Sequence, residues 1–344
     1  MVALREVMSL SSTKSDIKQY QDLLKQYLDT KDEVVLYQAE QLSKEIKQDV
    51  SPDEIIDEHY NTLLKLIPDM DSQIKDSFEF LIQTMTSYAL AYKEYHELRT
   101  KQLELKAEIE VAANMQNTLL STSIPQVDGL DIGATSIPAK LMNGDYYHFV
   151  QDDEGNVGVA IADVIGKGIP AAFFMSMIKY AMESFPENRM YPKVILELLN
   201  RVVERNVESG MFVTMFYGLY DVQRQLFYYA TAGHEPGFIY RAQEDQFKEI
   251  DAKGLLLGVK KEVKYNQYVD EIHDGDLIVL LTDGVTECRS GDRFIEREEV
   301  LDVIKENKHL PAQDIVDNVY KYLERLQNFT LRDDFTLIVM KRSS

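Results

Sequence analysis

Val159-Ala160-Ile161-Ala162-Asp163-Val164-Ile165-Gly166-Lys167-Gly168 joins an apolar, branched run to a glycine-punctuated loop, with one aspartate at the junction. A short hydrophobic run of this kind reads as a buried β-strand. Such a strand carries its last residue to the rim of a sheet, so Asp163 is expected to face the cleft that the rim encloses. The same arrangement recurs on both sides. Asn143-Gly144-Asp145-Tyr146-Tyr147 lies upstream, and Leu277-Ile278-Val279-Leu280-Leu281-Thr282-Asp283-Gly284 downstream. Asp333-Asp334 then opens Phe335-Thr336-Leu337-Ile338-Val339-Met340. Taken singly, an aspartate beside glycine is a common turn former. That explanation has to be invoked at four separate sites here, and it serves poorly for the two adjacent charges of Asp333 and Asp334. Carboxylates gathered in one cleft repel each other unless cations hold them, and Mg²⁺ or Mn²⁺ are their natural oxygen-loving occupants. A metal-dependent hydrolase is the leading reading.

The composition narrows the alternatives. At 344 residues, 45% hydrophobic and 28% charged, the chain is long enough for two domains with cores of their own. A net charge of −21 disfavours nucleic acid and anionic membrane surfaces as partners. The single Cys288 excludes an internal disulfide framework and fits a reducing cytoplasm. No stretch reaches the length needed to cross a bilayer, and the N-terminus lacks a signal-like apolar core. The expected location is cytoplasmic.

Glycine marks a boundary. All 16 glycines lie at or after Gly129, which suits helices before that point and tight turns after it. Helical spacing runs over about 16–48, through Ile17, Tyr20, Leu24, Leu28, Val35 and Leu42. Ser51-Pro52-Asp53-Glu54 signals a helix start, and another helix begins near Asp71-Ser72. A bundle of about four helices is expected over 1–85. Between Pro68 and Pro125 there is neither proline nor glycine, and a 4-3 spacing passes through Tyr88, Ala91, Tyr95, Leu98, Gln102, Leu105, Ile109, Ala112, Gln116 and Leu119. Two readings of this linker, 86–122, stand side by side. One is a coiled coil between two subunits, weakened by glutamine at two core positions; the other is an amphipathic helix packed on its own domain.

Over 123–344 short β-branched and aromatic runs recur at 130–137, 157–163, 211–220, 225–232, 237–240, 276–283 and 335–340. Helices are expected at 169–184, 192–208, 296–306 and 311–326. Strands grouped apart from helix pairs indicate an α+β sandwich rather than βαβ alternation. No G-x-S-x-G elbow is present, and nothing near Cys288 would activate it as a nucleophile. If the aspartates converge, two divalent ions would lower the pKa of an attacking water and neutralise charge on a transferred phosphoryl group.

N-G-D-Y-Y, A-D-V-I-G-K-G-I-P-A-A, F-V-T-M-F-Y-G-L-Y, Y-A-T-A-G-H-E-P, L-L-T-D-G-V-T-E and D-D-F-T-L-I-V, in this order, resemble the catalytic domain of the PPM-type serine/threonine phosphatases of the SpoIIE class. The likeness covers about 129–342, and the N-terminal helices resemble those of the class members that turn on a general-stress sigma factor. The resemblance implies a PPM-type β-sandwich flanked by helices. It implies two divalent ions, Mn²⁺ or Mg²⁺, with Asp163 bridging them, the Val164 carbonyl on the second, and Asp283 and Asp333 on the first. Asp145 would act on the second ion through water, Asp334 would support the site, and His234 of A-G-H would form part of its wall. The implied substrate is a phosphoserine anti-sigma-factor antagonist, and the implied activator a serine-kinase-like switch protein that binds the N-terminal domain of a homodimer. The helices at 169–208 are the expected receivers of that signal. Asn143 stands where relatives often have glycine, and Lys140 is the sole cation between Gly129 and Asp145, a poor substitute for a bidentate arginine. A catalytically silent adaptor and a small-molecule phosphoesterase are the competing readings.

Overall fold

The structure, a computed structural model, describes residues 2–45, 52–165, 169–185, 191–206, 211–286, 288–290, 293–327 and 331–343. Gly166-Lys167-Gly168 and Ser51 lie outside them. Helices α1 (Val2–Thr30), α2 (Glu33–Glu45), α3 (Pro52–Leu66) and α4 (Ser72–Leu120) come first. The helical spacing expected over about 16–48 is shared between α1 and α2, and residues 46–48 lie outside the described ones. Lys31 adopts a left-handed φ of 57°, and Asp32 then accepts the Val34 N–H at 2.9 Å to start α2. Pro52 occupies the first position of α3, as its sequence requires. Asp71 accepts the Gln73 N–H at 2.8 Å where α4 begins.

Contacts divide the chain into Met1–Lys106 and Ala107–Ser344, a division inside the expected linker. In the first unit Val35, Leu42, Leu63 and Met70 are buried. Tyr60 and Phe78 stack at 5.3 Å, and the Tyr20 hydroxyl lies 2.7 Å from His59 Nδ1. Among the described residues, no helix is long and apolar enough to cross a membrane.

The second unit is built on two five-stranded antiparallel sheets. One has the order β1 (Leu130–Ile137), β12 (Phe335–Arg342), β9 (Leu277–Leu281), β6 (Phe238–Arg241), β7 (Gln246–Glu249). The other has the order β2 (Asp145–Gln151), β3 (Val157–Ile165), β4 (Phe212–Asp221), β5 (Leu226–Ala232), β8 (Tyr268–Glu271). A two-stranded hairpin joins β10 (Arg289–Ser290) and β11 (Arg293–Phe294). Helices α5 (Ile169–Glu183) and α6 (Pro192–Asn206) cover the second sheet, α8 (Arg297–Glu306) and α9 (Ala312–Leu326) the first, and the short α7 (Asp283–Thr286) follows β9.

Side-chain alternation along each strand separates the layers. On β3, Val157, Val159 and Ile161 enter the space between the sheets, while Ala160, Ala162 and Val164 pack towards α5 and α6. On β9, Ile278 and Leu280 point inward, and Leu277, Val279 and Leu281 meet α8 and α9. The sandwich with paired helices matches the expected class. Strands β2, β7, β8, β10 and β11 add to the expected runs, and Thr282 and Asp283 leave β9 before its expected end. Among the described residues of α4, only Ala113 and Gln116 are buried.

Candidate metal centre

The alternation that fills the sandwich with hydrocarbon changes character at one end. The inward series Leu130, Ile132 and Ala134 continues to Ser136 on β1, and on β12 Ile338 and Met340 lead back through Thr336 to Asp334, just before the strand. Ile278 and Leu280 lead to Thr282, Val157 to Ile161 lead to Asp163, and Phe149 and Tyr147 lead to Asp145. On β4, Phe216 precedes Thr214 on the same face. Each of these strands therefore ends its apolar face in an oxygen-bearing side chain, and Asp145 and Asp163 sit directly opposite one another in register.

Asp145 is 3% exposed. Its Oδ2 accepts hydroxyls from Thr282, just past β9, at 2.6 Å and from Thr336 of β12 at 2.7 Å. Burial pushes its pKa well above the ordinary carboxylate range, and the like charges of Asp163 and Asp334 add to the rise against the threonine donors. Asp334 accepts the Ala139 N–H at 2.7 Å and also the Gly144 N–H. A Cβ on Gly144 would lie 3.0 Å from Asp334 Oδ2 and 3.8 Å from Asp163 Oδ1, so these carboxylates flank the glycine of N-G-D. Asp283 opens α7. The next residue, Gly284, sits so close to the Asp333-Asp334 backbone that a Cβ would fall 1.8 Å from the Asp334 carbonyl oxygen. Asp333 is exposed, and its Oδ1 accepts the Asp334 N–H at 3.0 Å. The Val164 N–H donates to the Gly144 carbonyl at 3.2 Å, tying β3 to the loop before Asp145.

The structure thus brings Asp145, Asp163 and Asp334 around Gly144, and draws Asp283 and Asp333 to the same rim through Gly284. Among the described residues, no three acidic, imidazole or thiol groups are already closed to coordination distance. The donor set nonetheless fits a hard cation: it is all oxygen, and the charges that act on Asp145 are those of other carboxylates. His234 is buried and its pKa is pushed down to about 4 by desolvation, which leaves the ring neutral at physiological pH. Its Nδ1 lies 2.9 Å from the Thr214 hydroxyl, which in turn is 3.3 Å from the Asp163 carbonyl. Lys140 is exposed in the loop between β1 and β2.

The sequence reading missed Ser136, Thr214, Thr282 and Thr336. Their signal is the strand alternation itself, which places each on the inward face of an apolar run. A pH experiment probes the arrangement. A carboxyl whose folded pKa lies above its unfolded value binds more protons in the native state, so stability falls as pH rises through that window. The metal-free chain is expected to melt higher as pH falls from neutral towards the ordinary carboxylate range. Asp145→Asn should flatten that slope, and a variant slope equal to the native one would refute the assignment.

The family comparisons bear on this geometry. The profile of the Stage II sporulation protein E (SpoIIE) family matches residues 153–343, and that of the phosphoserine phosphatase RsbU N-terminal domain matches 18–91. The phosphoserine phosphatase RsbU of Bacillus subtilis (strain 168) is 50% identical over 326 residues, covering 94% of this chain and 97% of its own. The chain belongs to the RsbU family of phosphoserine phosphatases. Solved structures agree on the fold of this family. The SiaA-PP2C domain of Pseudomonas aeruginosa has a TM-score of 0.60 at 17% identity, covering 71% of this chain and 99% of that one. The RsbU and RsbW domains of a Mycobacterium tuberculosis protein give 0.53 at 25% identity, covering 65% of this chain and 62% of that one. The RsbU-family sandwich is the one described above, with helices on both outer faces.

Proposed function

We propose that this chain is a Mn²⁺- or Mg²⁺-dependent protein phosphatase that removes phosphate from a phosphoserine on a small anti-sigma-factor antagonist. The observation that carries the reading is the rim of oxygen donors at one end of the sandwich, in a member of a phosphoserine phosphatase family. Asp163, the Val164 carbonyl, Asp283 and Asp333 would hold two ions, with Asp145 and Asp334 in support. Bound there, the ions supply Lewis-acid activation of water and neutralisation of phosphoryl charge. The chain's own residues supply the frame. Thr282 and Thr336 donate to Asp145 and favour its ionised form. Asp334 pins the Ala139 and Gly144 backbone, and the neutral His234 braces Thr214 behind Asp163.

The activator in this reading is a serine-kinase-like switch protein that docks on the N-terminal helices of a cytoplasmic homodimer. Exposed Leu36, Tyr37, Ile67, Ile74 and Phe80 in the first unit support a protein-binding role for those helices. Tyr88, Tyr95, Leu98 and Leu105 of the heptad spacing are exposed on α4, which supports pairing there. Gln116 departs from that seam, because its side chain is engaged within its own chain.

The test compares phosphate release from a phosphoserine protein, a nucleotide and a sugar phosphate, with Mn²⁺ or EDTA and with or without the activator. Release from the phosphoprotein alone, abolished by EDTA and raised by the activator, is the expected result. Equal turnover of the small phosphoesters would favour a general phosphoesterase. Absence of turnover under every condition would favour a silent adaptor.

A further inference from the structure

We propose that Gln116, near the end of α4, is a positioning residue for the metal centre, acting through Asn143 on Asp145. The inference rests on the metal-dependent reading above and concerns the part of α4 that belongs to the second compact unit. Gln116 is 3% exposed, while its helix neighbours Met115, Asn117 and Thr118 are exposed. A buried glutamine is costly unless both ends of its amide are used. Here both are: Nε2 donates to the Asn143 carbonyl at 2.7 Å, and Oε1 accepts the Asn143 N–H at 3.0 Å. One side chain thereby grips both polar groups of a single residue's backbone, as a neighbouring β-strand would.

What Gln116 grips is the start of a hydrogen-bond chain that ends on Asp145. The Asn143 Oδ1 accepts the Asp145 N–H at 2.9 Å. Its Nδ2 donates to Ser136 Oγ at 2.7 Å, and Ser136 Oγ lies 2.8 Å from Thr336 Oγ1. Each hydroxyl has one proton, which fixes the direction of the chain. The Thr336 proton goes to Asp145, so the Ser136 proton goes to Thr336, and the lone pair left on Ser136 faces the Asn143 amide. Thr282 closes the set by accepting the Thr336 N–H at 3.2 Å while giving its own proton to Asp145. Every side-chain donor from Asn143 onward points towards one carboxylate. A displacement of Asn143 therefore alters both the backbone position of Asp145 and the supply of protons to its Oδ2. Such supporting hydrogen bonds orient the groups that hold a metal.

Direct Mn²⁺ binding tests the proposal, read by the electron paramagnetic resonance signal of free Mn²⁺ with the full-length chain. Thermal melts of the metal-free proteins run alongside. Gln116→Leu keeps the bulk and removes the pair; it is expected to weaken Mn²⁺ binding by about 10–100-fold. Asn143→Ala should weaken it similarly, and the double variant should be no weaker than Asn143→Ala alone, because both changes cut one chain. Gln116→Glu replaces the Nε2 donation with a carboxylate oxygen facing the Asn143 carbonyl and provides the reading if Gln116→Leu fails to melt cooperatively; its affinity is also expected to fall. Native-like Mn²⁺ affinity in the folded Gln116 variants, or losses that simply add in the double variant, would overturn the proposal and leave the phosphatase reading intact. A native chain that binds no Mn²⁺ would bring down both.

Discussion

Asp163→Ala is expected to lower phosphoserine release by about 10³-fold or more, since the ions it would hold are worth several kcal/mol of transition-state stabilisation and each 1.36 kcal/mol is tenfold. The metal-free fold should be no less stable than native. Asp163 faces Asp145 across the β2–β3 ladder, and its charge raises the pKa of the buried Asp145. Removing it takes that like charge away from the buried Asp145. Loss of activity with an unchanged or higher melting temperature is therefore the signature of a functional carboxylate at a strained rim. A drop in stability together with activity would make Asp163 a structural residue, and retained turnover in Mn²⁺ would remove it from the reaction.

Gly284→Ala tests the other half of the rim. The added methyl would sit 1.8 Å from the Asp334 carbonyl oxygen and 2.8 Å from its carbon, so relief requires moving the backbone beside β12. That strand is paired on both sides, to β1 and β9, and cannot yield cheaply. Overpacking of this kind costs up to about 3 kcal/mol, which for a unit of this size lowers the melting temperature by roughly 6–12 °C. The same shift would separate Asp283 from Asp333 and Asp334, so phosphatase activity should be lost even at temperatures where the variant remains folded. Gly155→Ala is the comparison: nothing lies within 4 Å of its added Cβ, so it carries the backbone strain of a left-handed φ of 83° without any overpacking. A Gly284→Ala chain that melts like native would show that α7 can slide, and the close approach would lose its meaning.

Much of the architecture is legible in the residues. Val157 to Ala162, Leu277 to Leu281 and Leu337 to Met340 are apolar on both faces because both faces are covered, one by the opposing sheet and one by helices. Such runs announce buried strands. Pro52 at a helix start and the absence of glycine before Gly129 announce helices. The break at Lys31 is not legible, because lysine is an ordinary helix residue and only the local path of the chain places it at positive φ. β2 is partly hidden, since Tyr146, Tyr147 and His148 lack a strong apolar alternation.

The acidic positions are visible in sequence because aspartate beside glycine at the end of an apolar run is an unusual pattern to repeat. The threonines that serve Asp145 are invisible at that level. Thr282 and Thr336 read as ordinary strand residues until the two sheets are stacked. The same holds for Gln116, whose spacing fits a helical seam and whose amide is used on Asn143 instead.

Local sequence, then, settled most of the strands and helices and which carboxylates stand at their ends, because periodicity and turn chemistry act over a few residues. Stacking of the sheets alone decided that Ser136, Asp145, Asp163, Thr282, Thr336 and Asp334 share one rim, and that a glutamine 27 residues upstream reaches the Asn143 backbone. Those partners lie up to 200 residues apart. Their meeting follows from burying two apolar sheet faces against each other, a requirement of the whole chain and of no single stretch.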